Sequence, residues 1–143
     1  MTRAGNVHVW DMRKHNQAER QFTAHGEHVM SVDFHPENRN MLATAGRDKL
    51  IKVWDLSSPS RTPNSHVIQT ITPVAQIKWR PQRKHHIASI GLLLDSSVTV
   101  WDIRRPFIPF ASFTEHKDCV TGIETSFLIF SAILSILWYF YRN

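Results

Sequence analysis

The chain has 143 residues, 42% of them apolar and 20% charged, a balance that excludes wholesale disorder and supplies enough apolar mass for one core. A single cysteine, Cys119, excludes an internal disulfide and a cysteine-built zinc site, so burial has to hold the fold together. The net charge of +5 comes from 17 basic and 12 acidic residues spread along the chain, too modest an excess to specify nucleic acid as the partner.

The first residues lack the charged flank and apolar core of a secretory signal, which predicts synthesis in the cytosol. Val7 and Val9 then alternate up to Trp10, which predicts a strand over 7–10. Alternation and turn residues next predict strands over 29–34, 41–45, 50–54 and 67–72, with His35-Pro36-Glu37-Asn38 and Gly46-Arg47-Asp48 as turns. A second series follows over 74–79, 86–90, 97–101 and 110–114, and after His116 one more strand opens over 119–123. Thr44 lies four residues before Asp48, whereas Ser89 lies six before Asp95, so two residues are inserted within 91–94. The end of the chain breaks this pattern. Phe127 to Tyr141 carries no charge and is apolar on every side, which predicts a helix outside the strand repeats. At 15 residues it is short for a full membrane span, so weak or tilted membrane association is expected.

Three Trp-Asp pairs end alternating strands: VHVWDM at Trp10-Asp11, IKVWDL at Trp54-Asp55 and VTVWDI at Trp101-Asp102. Their spacings are 54 minus 10, or 44, and 101 minus 54, or 47 residues, close to the period of a propeller built of four-stranded blades. The chain therefore resembles the WD-repeat family. That resemblance implies an all-β, partial WD-type β-propeller of two full blades plus partial blades, to which the apolar tail is expected to add a C-terminal helix by its own composition. A third and a fourth strand are expected before His25, and one opening strand after His116. Fewer than three blades cannot close a ring, so the chain is expected to be a piece of a longer propeller. The expected division is a repeat segment over 1–125 and an apolar tail over 126–143.

The family resemblance also implies a buried polar relay formed by His25, Thr44, Asp48 and Trp54, with an incomplete counterpart at Ser89, Asp95 and Trp101 that lacks a histidine. A hydroxyl, an imidazole and a carboxylate invite comparison with a catalytic triad. No Gly-x-Ser-x-Gly elbow accompanies them, and the structural reading is preferred. No catalytic residue, cofactor or metal site is expected, because the nine histidines lack cysteine or carboxylate partners at ligand spacing. Lys78, Trp79, Arg80, Arg83 and Lys84 read as a strand running into a solvated turn rather than a nucleic-acid site. Arg104, Arg105 and Phe107 lie in a hairpin turn of the kind that presents a rim to partner peptides. The loop Ser57 to Ser65 holds Ser58 and Thr62, each before proline, as candidate phosphorylation sites.

The stretches IKWRP, HHIAS and WDIRRPF are less generic than the Trp-Asp core, and with them residues 5 to about 123 resemble the WD-repeat subunits of the second GATOR subcomplex. The resemblance implies a non-enzymatic scaffold in a multi-protein complex on the lysosomal surface, relaying amino-acid sufficiency to the target-of-rapamycin kinase. Its implied partners are protein subunits, with no nucleic acid and no small-molecule substrate. The family's distal zinc-binding, RING-like module has no ligands in this chain, so ligase chemistry does not carry over. The alternative is a WD-repeat adaptor of another complex, such as a ligase substrate receptor or a trafficking coat.

Overall fold

A computed structural model describes residues 5–14, 16–58, 64–92, 97–114, 120 and 122–123. Ten strands fall within them, in the order β1 (Asn6–Val9), β2 (Arg20–Thr23), β3 (Val29–Phe34), β4 (Met41–Gly46), β5 (Leu50–Asp55), β6 (Asn64–Gln69), β7 (Val74–Trp79), β8 (His86–Gly91), β9 (Val98–Asp102) and β10 (Ala111–Phe113). They form a hairpin, β1-β2, and two four-stranded sheets, β3-β4-β5-β6 and β7-β8-β9-β10. Every pairing is antiparallel. Sequential strands thus lie side by side, the up-and-down order of a propeller blade, and the hairpin occupies the place of a third and fourth strand.

Most elements lie within a residue or two of where alternation puts them. Two differ. The fourth strand of the first blade is expected over 67–72 but runs over Asn64–Gln69, because β5 is a long template that pairs Trp54 with Asn64 across a bulge. The Thr70 hydroxyl reaches the Lys49 carbonyl at 2.9 Å and ends it. The strand between Trp10 and His25 has the sequence RQFT, and only Phe22 of it is buried, so its own pattern is weak and pairing with β1 defines it. Trp10 also departs from expectation: it follows β1 rather than ending it and is 54% exposed.

The two blades repeat each other in backbone detail where their sequences differ. After β3, His35 N–H donates to the Met41 carbonyl at 2.9 Å, and after β7, Arg80 N–H donates to the His86 carbonyl at 3.0 Å. Each innermost strand carries a register shift near its start, at Val29/Ser31 and at Val74/Gln76. Between the blades lies one apolar cluster in which small Ala43 and Ala45 accompany Ile51, Val53 and Ile68 of the first blade, with Ile77, Trp79, Ile87 and Trp101 of the second. A second cluster, Val7, Phe22, Ala24, Leu42 and Trp54, joins the hairpin to the first blade. Each blade's tryptophan therefore packs toward the preceding unit, which is the burial that stacked repeats require.

Polar groups close the seam between the blades. The Ser31 hydroxyl accepts from Ile77 N–H at 3.1 Å, and the Asp33 carboxylate accepts from Trp79 N–H at 2.8 Å and from Lys78 Nζ at 3.3 Å. Trp79 Nε1–H donates to the Asp33 carbonyl at 3.2 Å. His35 adds a further tie, since its Nδ1 accepts from Glu37 and Asn38 N–H, which leaves Nε2–H to donate to the Lys84 carbonyl at 3.0 Å.

No helix among the described residues is long and apolar enough to cross a membrane. The expected apolar helix over the tail, Asp95, Thr62 and His116 lie outside the described residues, as do residues 93 and 94 of the insertion expected within 91–94. So does most of the strand expected over 119–123, of which Val120, Gly122 and Ile123 are described and carry no strand. Ile123 instead exchanges two hydrogen bonds with the Gln76 side chain, at 3.1 and 3.2 Å.

Candidate functional site: a buried polar relay and a basic rim

Thr44 sits in the middle of β4, opposite Lys52 of β5 and two residues from Leu42, which faces Trp54. Side chains two apart on a strand share a face, so the Thr44 hydroxyl lies beside the Trp54 indole. The indole Nε1–H donates to Thr44 Oγ1 at 2.8 Å. His25, in the turn between β2 and β3, brings its Nε2 within 2.7 Å of the same hydroxyl. Its Nδ1 lies 2.9 Å and 3.0 Å from the two carboxylate oxygens of Asp48 in the β4–β5 turn. Because the carboxylate can only accept, Nδ1 carries the proton and Nε2 accepts from the threonine hydroxyl. The chain of donors thus runs from indole to hydroxyl, hydroxyl to imidazole and imidazole to carboxylate. Thr44 is 0% exposed and His25 1% exposed.

Burial holds the His25 pKa below its ordinary value and outweighs the opposing pull of Asp48. The geometry gives the same direction, since a doubly protonated ring would face the threonine hydroxyl with a second donor. Asp48 also accepts from Gly26 N–H at 3.2 Å and Leu50 N–H at 3.3 Å, tying both turns to one carboxylate. Gly46 leaves room for the pair. A Cβ there would stand 2.9 Å from Asp48 Oδ1 and 3.0 Å from His25 Nδ1.

In the second blade Trp101 Nε1–H donates to Ser89 Oγ at 2.9 Å. Among the described residues no imidazole bonds the Ser89 hydroxyl, which turns to the Thr99 carbonyl at 3.4 Å. The structure brings Ser89 and Trp101 together as a two-member contact, and Asp95 lies outside the described residues.

The aspartates of the Trp-Asp pairs have a separate function in the fold that the sequence patterns do not reveal. Asp11, Asp55 and Asp102 each accept from the backbone N–H two residues on, at 2.9 Å from Arg13, 2.9 Å from Ser57 and 3.0 Å from Arg104. These are side-chain turns that start the connection after the third strand of each blade. At Asp102 the Arg104 guanidinium adds two more bonds, at 3.0 and 2.7 Å, and holds the carboxyl well below the usual carboxylate range. The Ser57 hydroxyl and N–H lower the Asp55 carboxyl in the same way.

Arg104, Arg105 and Phe107 lie together in the turn between β9 and β10, as the hairpin reading placed them. Arg105 is exposed and Phe107 is 92% exposed. Among the described residues no group of three or more His, Cys, Asp or Glu side chains has the arrangement of a metal site. Sequence reasoning passed over Ser31 and Asp33, whose signal is a pair of polar side chains at period two on an otherwise apolar strand, and it weighed His35 and His86, both buried, only as metal ligands to be set aside.

Antiparallel four-stranded sheets in sequential order, packed face to face with an indole of each blade bonded to a hydroxyl of its second strand, define a segment of a WD-repeat β-propeller. Residues 16–55 match the family described as WD domain, G-beta repeat. A chain of the solved mitotic checkpoint complex shares the fold, with a TM-score of 0.67 and 21% identity over 83% of this chain and 35% of its own.

Among curated proteins the chain is similar to GATOR2 complex protein WDR24. It is 53% identical over 119 residues to the Xenopus laevis protein and 50% identical over 119 residues to the Homo sapiens protein, in each case 83% of this chain and 15% of the relative. The Drosophila melanogaster protein is 55% identical over 112 residues, 78% of this chain and 14% of its own length. At this level of identity the matched stretch is homologous to a segment of these WDR24 proteins. The chain spans about 15% of their length.

Proposed function

We propose that the chain serves as a non-enzymatic WD-repeat scaffold segment in a GATOR2-type protein complex, one that promotes amino-acid signalling to the target-of-rapamycin kinase at the lysosomal surface. The supporting observation is the 53% identity to a GATOR2 complex protein across 119 residues, a stretch that takes in both blades. The chemistry of the buried groups agrees. Thr44 is wholly buried and its hydroxyl is engaged by Trp54 and His25, so a substrate has no access to the one arrangement that resembles a nucleophile with its base. His25, Thr44, Asp48 and Trp54, and in the second blade Ser89 and Trp101, are assigned to holding blade geometry. Arg104, Arg105 and Phe107 are assigned to a rim that meets protein partners. Residues 126–143 are assigned to a separate apolar tail with weak membrane affinity.

The test is affinity purification of the tagged full chain from cells. Recovery of the protein subunits that accompany the WDR24 relatives is the expected result. Recovery of a ubiquitin-ligase core or a trafficking coat in their place would overturn the assignment. For the tail, residues 124–143 fused to a soluble reporter should be partly retained in carbonate-washed membranes, and complete recovery in the soluble fraction rejects that role.

A further inference from the structure

The β7–β8 turn and the β9–β10 turn emerge at the same end of the second blade, because β8 and β9 pair His86 with Asp102. Arg80, Arg83 and Lys84 come from the first turn, and Arg104 and Arg105 from the second. Among the described residues the carboxylates of Asp102 and Glu37 stand against Arg83, Lys84, Arg104 and Arg105. Asp102 is taken up by Arg104 at 2.7 Å, and Glu37 lies 3.7 Å from Lys84 Nζ. Gln82, Arg83, Lys84, His85, His86 and Arg104 line an open depression between the turns. At its wall His86 is only 8% exposed, and among the described residues its buried Nδ1 has no hydrogen-bond partner. A buried polar nitrogen without a partner is uncommon in a native fold. Apolar surface lies alongside: Phe107, Ile108 and Phe110 are 92%, 73% and 60% exposed, and the Phe110 ring centroid is 4.5 Å from that of His86.

We propose that this end of the second blade docks an acidic peptide segment of a partner protein, seating a carboxylate among Arg83, Lys84, Arg104 and His86 and laying a neighbouring apolar side chain on Phe107 and Phe110. The proposal rests on the reading of the chain as a protein-binding scaffold and names the chemistry of one partner site. Charge complementarity selects an acidic segment, since among the described residues Arg83, Lys84, Arg104 and Arg105 outnumber the carboxylates of Asp102 and Glu37 around the depression. The exposed aromatic and aliphatic side chains beside the cations select a peptide over a nucleic-acid backbone, whose phosphates have no use for them, and Asp102 and Glu37 would repel a longer polyanion. The recessed position of His86 suits a single side chain rather than the flat array of headgroups on a lipid surface. Arg104 is already oriented by its two bonds to Asp102, so less conformational freedom is lost when it takes a second anion.

The experiment measures fluorescence anisotropy of a labelled short peptide of Glu, Asp and Leu with the purified full chain. Its Gln and Asn counterpart, a phosphoserine counterpart, a single-stranded oligonucleotide and phosphatidylserine vesicles serve as competitors. Arg83→Glu and Phe107→Ala are the variants, because both side chains are exposed and neither substitution should shift thermal unfolding. Each is expected to weaken the acidic peptide about tenfold, and the uncharged counterpart should bind about tenfold more weakly than the acidic one. An NMR titration supplies a readout that packing alone would not move. Burial and Arg80, with Arg83 and Arg104, depress the His86 pKa against the opposing pull of Asp102, and a seated carboxylate should raise it. Equal binding of the uncharged counterpart, equal binding by both variants, or tighter binding of the phosphopeptide, oligonucleotide or vesicles would overturn the proposal. If Arg83→Glu still purifies with its complex while the peptide shows no charge preference, the docking site fails and the scaffold reading stands. If the unmodified chain purifies with no complex subunit, the scaffold reading itself fails.

Discussion

Thr44 has one hydroxyl, and both the Trp54 indole and the His25 imidazole depend on it. Such a group costs more to remove than its own bonds suggest, because each deletion leaves a buried partner unsatisfied. Asp48→Ala strips the carboxylate from His25, Gly26 and Leu50 together, and in an intact propeller it should cost about 1 to 3 kcal/mol by chemical unfolding. An unchanged midpoint would remove Asp48 from the network. Gly46→Ala should be destabilising too, since its Cβ would push Asp48 away from His25. The pH dependence follows from the lowered His25 pKa. The unfolded chain takes up a proton near the ordinary value of 6.5 while the folded chain resists it, so stability is fully present above that value and falls as the pH drops below it. His86 is shifted in the same direction. The check is therefore the difference in urea midpoint between neutral and mildly acid buffer, which should be smaller in His25→Asn than in the unmodified chain.

At the scale of elements the two blades form an internal comparison. Thr44 belongs to a four-membered chain, whereas among the described residues Ser89 joins only Trp101 and the Thr99 carbonyl. Thr44→Val should therefore destabilise more than Ser89→Ala, and the reverse order in matched unfolding curves would show that the longer chain adds nothing. The seam between blades is the other sensitive element. Asp33→Ala should cost more than Ser31→Ala, because Asp33 satisfies Trp79 N–H and Lys78 Nζ while Ser31 satisfies Ile77 N–H alone. Strands were legible in sequence wherever one face is apolar, as in IKVWD, and illegible where pairing rather than pattern defines them, as in RQFT. The relay was legible only through the family resemblance, because His25 is 23 residues from Asp48 in the chain and no local period links them. The turn-starting duty of Asp11, Asp55 and Asp102 escaped notice because the Trp-Asp pair reads as one unit, although its two side chains do different things. Trp10 shows the limit of counting motifs. Trp54 and Trp101 are buried against neighbours that supply a hydroxyl, whereas Trp10 remains 54% exposed.

Across the whole molecule, the register places Phe34, Leu42 and Trp54 on one face of the first blade, with Val32 and Thr44 beside them. The outer part of that face, Leu42 and Trp54, is covered by Val7 and Phe22 of the hairpin. The inner part is not covered by described residues: Met30, Val32 and Phe34 are 41%, 45% and 50% exposed along β3. A ladder of alternating apolar side chains on an innermost strand is the surface that two further strands beside β1 would bury. β1 itself is paired only with β2 among the described residues, which leaves an edge open for such strands or for another copy of the chain. The isolated chain is therefore expected to self-associate through this face. Substituting Val32 with Thr and Phe34 with Lys keeps the seam residues Ser31 and Asp33 in place while making the ladder polar, so sedimentation should shift toward the monomer with the relay and the seam intact. A monodisperse monomer from the unsubstituted chain, melting cooperatively on its own, would show that two blades and a hairpin suffice without anything covering β3.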